Sequence, residues 1–144
     1  MSRELSVTGL LMMAIALTGL LASQWLFSRN LAVLIVQCGA LVLIIWARVV
    51  FGRRSFHFTS DATSGGLITN GPYHIIRHPI YTGACVIGWA AAFAHWSLMA
   101  ATLAVLLTLG AVVRMLCEER ELLERYPAYE AYSRVTKRMI PYIF

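Results

Sequence analysis

The sequence predicts an all-α integral membrane protein. It has about four transmembrane helices in two hairpins, a cytoplasmic loop between the hairpins, and a C-terminal helix at the membrane interface. Two observations carry this expectation. Charged residues make up 13% of the chain and apolar residues 59%, whereas a soluble domain carries about 25% charged residues. Uncharged runs also recur at lengths suited to crossing about 30 Å of hydrocarbon as helix.

Residues 6–28, SVTGLLMMAIALTGLLASQWLFS, form the first run. It exceeds the roughly 7–15 apolar residues of a signal peptide, and bulky Trp25, Leu26 and Phe27 follow its small residues. It is therefore read as a retained helix. Residues 31–47, LAVLIVQCGALVLIIWA, form the second run and end at Arg48. Residues 79–96 and 97–113 form the third and fourth, parted by a turn around His95 and Trp96. The chain thus divides into an N-terminal transmembrane hairpin, 1–51, and a region from 52 to 144 comprising a loop, a second hairpin and a tail.

Four crossings would place both termini and the loop on one side. That side holds every Lys and Arg of the chain's 12 except Arg29. The positive-inside rule then assigns it to the cytoplasm of a multi-pass protein in the inner or cell membrane. The net charge of +5 reads as this bias and as contact with anionic lipid headgroups, not as nucleic-acid binding. Cys38, Cys85 and Cys117 lack metal-ligand or redox spacing and read as small packing residues.

The loop contains FTSDATSGGLITNGPY, rich in turn formers. Gly65-Gly66 and Asn70-Gly71 allow positive φ and close approach of a ligand to the backbone, with Leu67-Ile68 extended between them. The tail begins as helix, with Glu121–Arg125 and Glu130–Arg134 at favourable i,i+4 spacing. Pro127 interrupts it. Leu122, Leu123, Tyr126, Tyr129 and Tyr132 give an apolar flank suited to a membrane surface.

Ionisable residues at membrane depth are costly and mark function by default. Two groups qualify. Arg77-His78-Pro79-x-Tyr81 opens the third helix, with Pro79 at the first helical position. Arg114-x-x-x-Glu118-Glu119 closes the fourth, with Arg114 and Glu118 one turn apart on one face. His74 and His78 share i,i+4 spacing, but Pro79 biases His78 away from helical geometry, so no metal pair is expected.

The ordered pattern Gly71, Pro72, Tyr73, Arg77, His78, Pro79, Tyr81, Gly83, then Arg114, Glu118, Glu119, Leu122, then Tyr129, Tyr132, Arg138 and Pro141 resembles the isoprenylcysteine carboxyl methyltransferase family. These are integral-membrane enzymes using S-adenosylmethionine, distantly related to the phospholipid N-methyltransferases. The resemblance covers residues 65–144. It implies a cytoplasm-facing pocket for the cofactor, lined by Gly65, Gly66, Leu67, Ile68, Tyr73, His78, Pro79, Ile80, Tyr81 and Glu118. It also implies that Arg114 holds the methyl acceptor, that S-adenosylhomocysteine is the product, and that Glu119 is a supporting residue. Gly83 is expected to bring the third helix close to a neighbour.

Methyl transfer is an in-line displacement that depends on alignment. A carboxylate acceptor is already ionised and needs a cation to hold it, which a planar guanidinium supplies. An amine acceptor would need a base, for which His78 and Glu119 stand near. The expectation is therefore methylation of a lipophilic acceptor, in an isoprenylcysteine-like manner. An NADPH-dependent membrane reductase, a phospholipid or amine N-methyltransferase and a non-catalytic scaffold are the alternatives. The chain has fewer predicted helices than the eukaryotic members, so a prenylated-peptide substrate does not carry over directly.

Overall fold

A computed structural model describes residues 2–52 and 67–144. The expected cofactor contacts Gly65 and Gly66 lie outside the described residues, as do Arg53 and Arg54. Five helices follow in order: α1 (Ser2–Ala22), α2 (Leu31–Phe51), α3 (Pro79–His95), α4 (Leu98–Arg125) and α5 (Ala128–Val135), with a 3₁₀ turn over Gly71–His74 before α3.

Local chemistry sets most of these boundaries. Glu4 lies in the first turn of α1, where a negative charge suits the helix dipole. The side chain of Asn30 caps α2, accepting from Ala32 N at 3.0 Å and Val33 N at 3.5 Å. Gly52 ends the helix at φ +67°. Pro79 opens α3, and Trp96 closes it in the left-handed region at φ +45°. Tyr126, extended ahead of Pro127, ends α4.

Helices α1, α2 and α4 are long and apolar enough to cross a membrane. Helix α3 has 17 residues, a rise of about 26 Å, and runs between α2 and α4. Among the described residues the expectation of an all-helical membrane protein holds, with three helices meeting the length of a full crossing. Leu11, Ile15, Val42 and Ile45 are exposed along the outer faces, as lipid-facing residues of a bundle must be.

The helices do not pack as two separate hairpins. Helix α1 lies against α4, α4 against α3, and α3 against α2. Gly19 of α1 faces Leu103 while Gly9 faces Gly110, so α1 and α4 run antiparallel. Tyr81 meets Glu118, and Trp89 donates to Thr108 Oγ1 at 3.0 Å, so α3 and α4 are antiparallel too. The start of α1, the start of α3 and the end of α4 therefore share one end of the bundle. Met13, Ala16, Cys85, Leu107, Ala111 and Met115 form the core beneath that end.

Two close approaches set the geometry there. A Cβ at Gly83 would sit 2.5 Å from Ile44 Cγ1 and 2.9 Å from Ala40 O, the tight α3–α2 contact expected for this glycine. At Gly71, φ is +60° and a Cβ would lie 2.8 Å from Val50 Cγ2. The turn leading into α3 is thereby held against the end of α2.

Candidate active site

The site is built where the entry to α3 meets the last membrane turns of α4. Pro79 fixes the start of α3 and is fully buried. This aims Tyr81 across at α4 from the first turn. There Arg114 donates from Nε to the Tyr81 hydroxyl at 2.9 Å, and Tyr81 donates to Glu118 Oε1. Arg114 Nη2 also pairs with Glu118 Oε1 at 3.2 Å. Three residues from two helices thus form one closed triangle. The Arg114 side chain is 9% exposed and that of Glu118 24%, so the carboxylate is the open corner.

The next residue, Glu119, turns to the other side of the helix and joins a second cluster. Its Oε1 accepts from Arg77 Nε at 3.0 Å and its Oε2 from Arg138 Nε at 2.9 Å. Arg77 is further held by the last turn of α5 and the residue after it. Its Nη1 donates to Ser133 O at 2.8 Å and to Thr136 O. Main-chain bonds from Arg77 N to Lys137 O at 2.7 Å and from His78 N to Arg138 O at 2.9 Å complete a short parallel bridge. Thr82 adds a bond to Met139 O at 2.9 Å. The tail is therefore stitched to the entry of α3 by charge and backbone together.

His78 stands between the clusters. Its ring stacks on Tyr81 with centroids 5.7 Å apart. Its Nδ1 lies 3.8 Å from Glu118 Oε2. Its Nε2 lies 3.4 Å from Glu119 Oε1 without forming a hydrogen bond, and is buried. A buried polar atom without a bond costs free energy unless a ligand or a small movement satisfies it.

Of the expected site residues, Arg114, Tyr81, Glu118 and His78 come together. Pro79 and Ile80 form the helix start beside them. Tyr73 is buried in the 3₁₀ turn, its ring 5.8 Å from that of Phe51, and its carbonyl accepts from the Tyr132 hydroxyl at 2.5 Å. Burial pushes the Tyr132 phenol up to about 12 and raises those of Tyr73 and Tyr129 further. Leu67 and Ile68 are half-buried, in irregular backbone. The sequence marks Arg77 within the charged group that opens α3 and Arg138 only by its place in the pattern, and names no partner for either. The adjacent carboxylates Glu118-Glu119 were the available signal, since neighbours on a helix must face different partners.

Residues 25–129 match a family model described as phospholipid methyltransferase. The chain belongs to this family. No curated protein and no solved structure matches the chain. The family match takes in α2, α3 and α4 and so both halves of the Arg114–Tyr81–Glu118 triangle, while α1 and most of the tail lie outside it. A phospholipid methyltransferase family member with three membrane-length helices is an integral-membrane methyltransferase.

Proposed function

We propose that this membrane methyltransferase takes its methyl group from S-adenosylmethionine and places it on a lipophilic anion, first of all an isoprenylcysteine-like carboxylate held by Arg114. The observation that carries the reading is the buried Arg114–Tyr81–Glu118 triangle at the bundle end where α3 begins. When bound, the cofactor would supply an electrophilic methyl on a sulfonium whose leaving group is a neutral thioether. Glu118, the most open of the site's carboxylates, suits the cofactor's ammonium or ribose hydroxyls. The unsatisfied Nε2 of His78 suits its carboxylate. Tyr81 holds Arg114 and Glu118 at fixed separation, and its ring, with that of Tyr73, offers an aromatic face to a cation.

The charges favour an anionic acceptor. Arg77, Arg114 and Arg138 face Glu118 and Glu119, leaving one positive charge when His78 is set aside. The cofactor adds another, so an anion is the partner that relieves the excess in a partly buried site. Attack by a carboxylate oxygen releases no proton, so no residue need act as base. The family match to phospholipid methyltransferases supports a second reading, methylation of a headgroup amine, in which His78 would accept the proton that an ammonium must lose. It also favours methyl transfer over the reductase alternative.

We further place α3 as a fourth crossing, with the site end and both termini in the cytoplasm, from the clustering of Lys and Arg at that end. Purified protein would be given methyl-labelled S-adenosylmethionine with N-acetyl-S-farnesylcysteine or with phosphatidylethanolamine vesicles. A carboxyl ester releases its label as methanol in base, and an N-methyl product does not. Calorimetric binding of S-adenosylhomocysteine, lost in Glu118→Ala, tests the cofactor assignment. Binding of NADPH in its place would overturn the proposal.

A further inference from the structure

Helix α1 takes no part in the chemistry above, and the family match begins beyond it, at residue 25. Yet α1 lies directly against the turn of α4 that carries Arg114. A Cβ at Gly9 would fall 2.8 Å from Gly110 O, 3.0 Å from Arg114 Cγ and 3.2 Å from Arg114 N. A Cβ at Gly110 would fall 2.7 Å from Gly9 O. An overlap with a carbonyl oxygen cannot be relieved by turning a side chain, so the helices would have to part. The two backbones meet at the level of Arg114, and Gly9 is the surface on which its aliphatic stem rests.

A second observation concerns the same face. Ser6 lies one turn before Gly9 on the same face of α1, in a helix that packs on α4. It is 2% exposed, and its hydroxyl makes no hydrogen bond among the described residues. An interface meant only for packing would do better with alanine there, since a buried hydroxyl without a bond is destabilising.

We infer that α1 is the wall that positions Arg114 for the acceptor, with Gly9 as the positioning residue. The acceptor geometry depends directly on Gly9, while the cofactor's hold on Glu118 and His78 feels it only through the Arg114–Glu118 pair at 3.2 Å. This rests on the reading of Arg114 as the acceptor's partner. A displacement of about 1 Å in a group that aligns a substrate is enough to cost on the order of a hundredfold in rate.

The test is calorimetry on detergent-solubilised full-length protein, first with S-adenosylhomocysteine and then with N-acetyl-S-farnesylcysteine added to the saturated complex. Gly9→Ala should weaken the second affinity tenfold or more, as the loss of one hydrogen bond to a charged group does, and weaken the first several-fold less. Gly19→Ala perturbs the same helix pair away from the site, where its Cβ would meet only the movable side chain of Leu103 at 3.0 Å, and should change neither. Equal effects of Gly9→Ala and Gly19→Ala, or loss of both affinities in Gly9→Ala, would mean that Gly9 only holds the bundle together, overturning the inference. Arg114→Ala separates the two claims. Undiminished farnesylcysteine affinity in that variant would remove Arg114 from the acceptor site and the inference with it. Loss in Arg114→Ala without loss in Gly9→Ala would sink the inference alone.

Discussion

Replacing Glu119 with alanine would take away the carboxylate that ties the entry of α3 to the tail. Arg77 and Glu119 have side chains only 9% exposed, and leaving one member of a buried ion pair alone costs about 3–5 kcal/mol. Arg77 keeps its bonds to the carbonyls of Ser133 and Thr136, which argues for the lower end. Arg138 is 36% exposed, so its share is that of a surface pair, at most about 1 kcal/mol. The expected loss is about 3–4 kcal/mol, or a fall in unfolding midpoint on the order of 10 °C at about 2–4 °C per kcal/mol. Thermal unfolding in detergent, followed by tryptophan fluorescence, reads the loss. Trypsin should cleave faster at Lys137 and Arg138 in the same variant. Adding Arg77→Met should restore part of the stability, because the stranded charge is then gone. A midpoint that falls by less than about 3 °C, or a double variant no better than the sum of the two single ones, would refute the reasoning.

Three further outcomes are expected. Tyr81→Phe removes the hydroxyl that bridges Arg114 and Glu118; losing bonds worth about 1–2 kcal/mol, it should lower kcat/KM for methyl transfer roughly tenfold while the protein stays folded. Stability should decline as pH rises from about 10 towards 12. Tyr132 is pushed up to about 12 in the fold, so only the unfolded chain ionises there and gains from it; a midpoint flat across that window would contradict the buried phenols, and Tyr132→Phe should soften the slope. Gly83→Val should cost about 1–3 kcal/mol by forcing α3 from Ala40 and Ile44 of α2, measured as a lower unfolding midpoint.

The sequence made the helices and the two charged constellations legible for different reasons. Long uncharged runs announce themselves in any membrane protein, and Arg-His-Pro or Arg-x-x-x-Glu-Glu are conspicuous because charge is scarce among them. Neighbour choice was not legible in the same way. Helices apolar all round carry no stripe to say which face meets which partner, so the short connection from α1 to α2 suggested a hairpin where α1 in fact packs on α4. Gly9, Gly83 and Gly110 were the signal that backbones meet, but a glycine marks a contact without naming its other half. The partners of Glu119 were hidden for a related reason. Arg77 and Arg138 stand 42 and 19 residues away from it, and no local periodicity links them. Their pairing depends on the parallel bridge between Ile76 and Lys137, a long-range contact that propensity does not encode.

Helix α4 runs unbroken for 28 residues, a rod of about 42 Å, with Arg114, Glu118 and Glu119 near one end and an uncharged stretch of about 24 Å from Leu98 to Val113 before them. Its partner α3, at about 26 Å, is close to that stretch in length, so the two present similar hydrophobic heights, each short of about 30 Å of hydrocarbon. An apolar stretch shorter than the hydrocarbon is met by local thinning of the bilayer and by flanking residues that snorkel to the interface. Arg114 is the flanking residue here, and on the proposed reading its height relative to the lipid headgroups sets which part of a lipophilic acceptor it meets. On that reading bilayer thickness becomes a setting of the reaction, and acyl-chain length in the host membrane would act on this protein much as a substituent on the acceptor does.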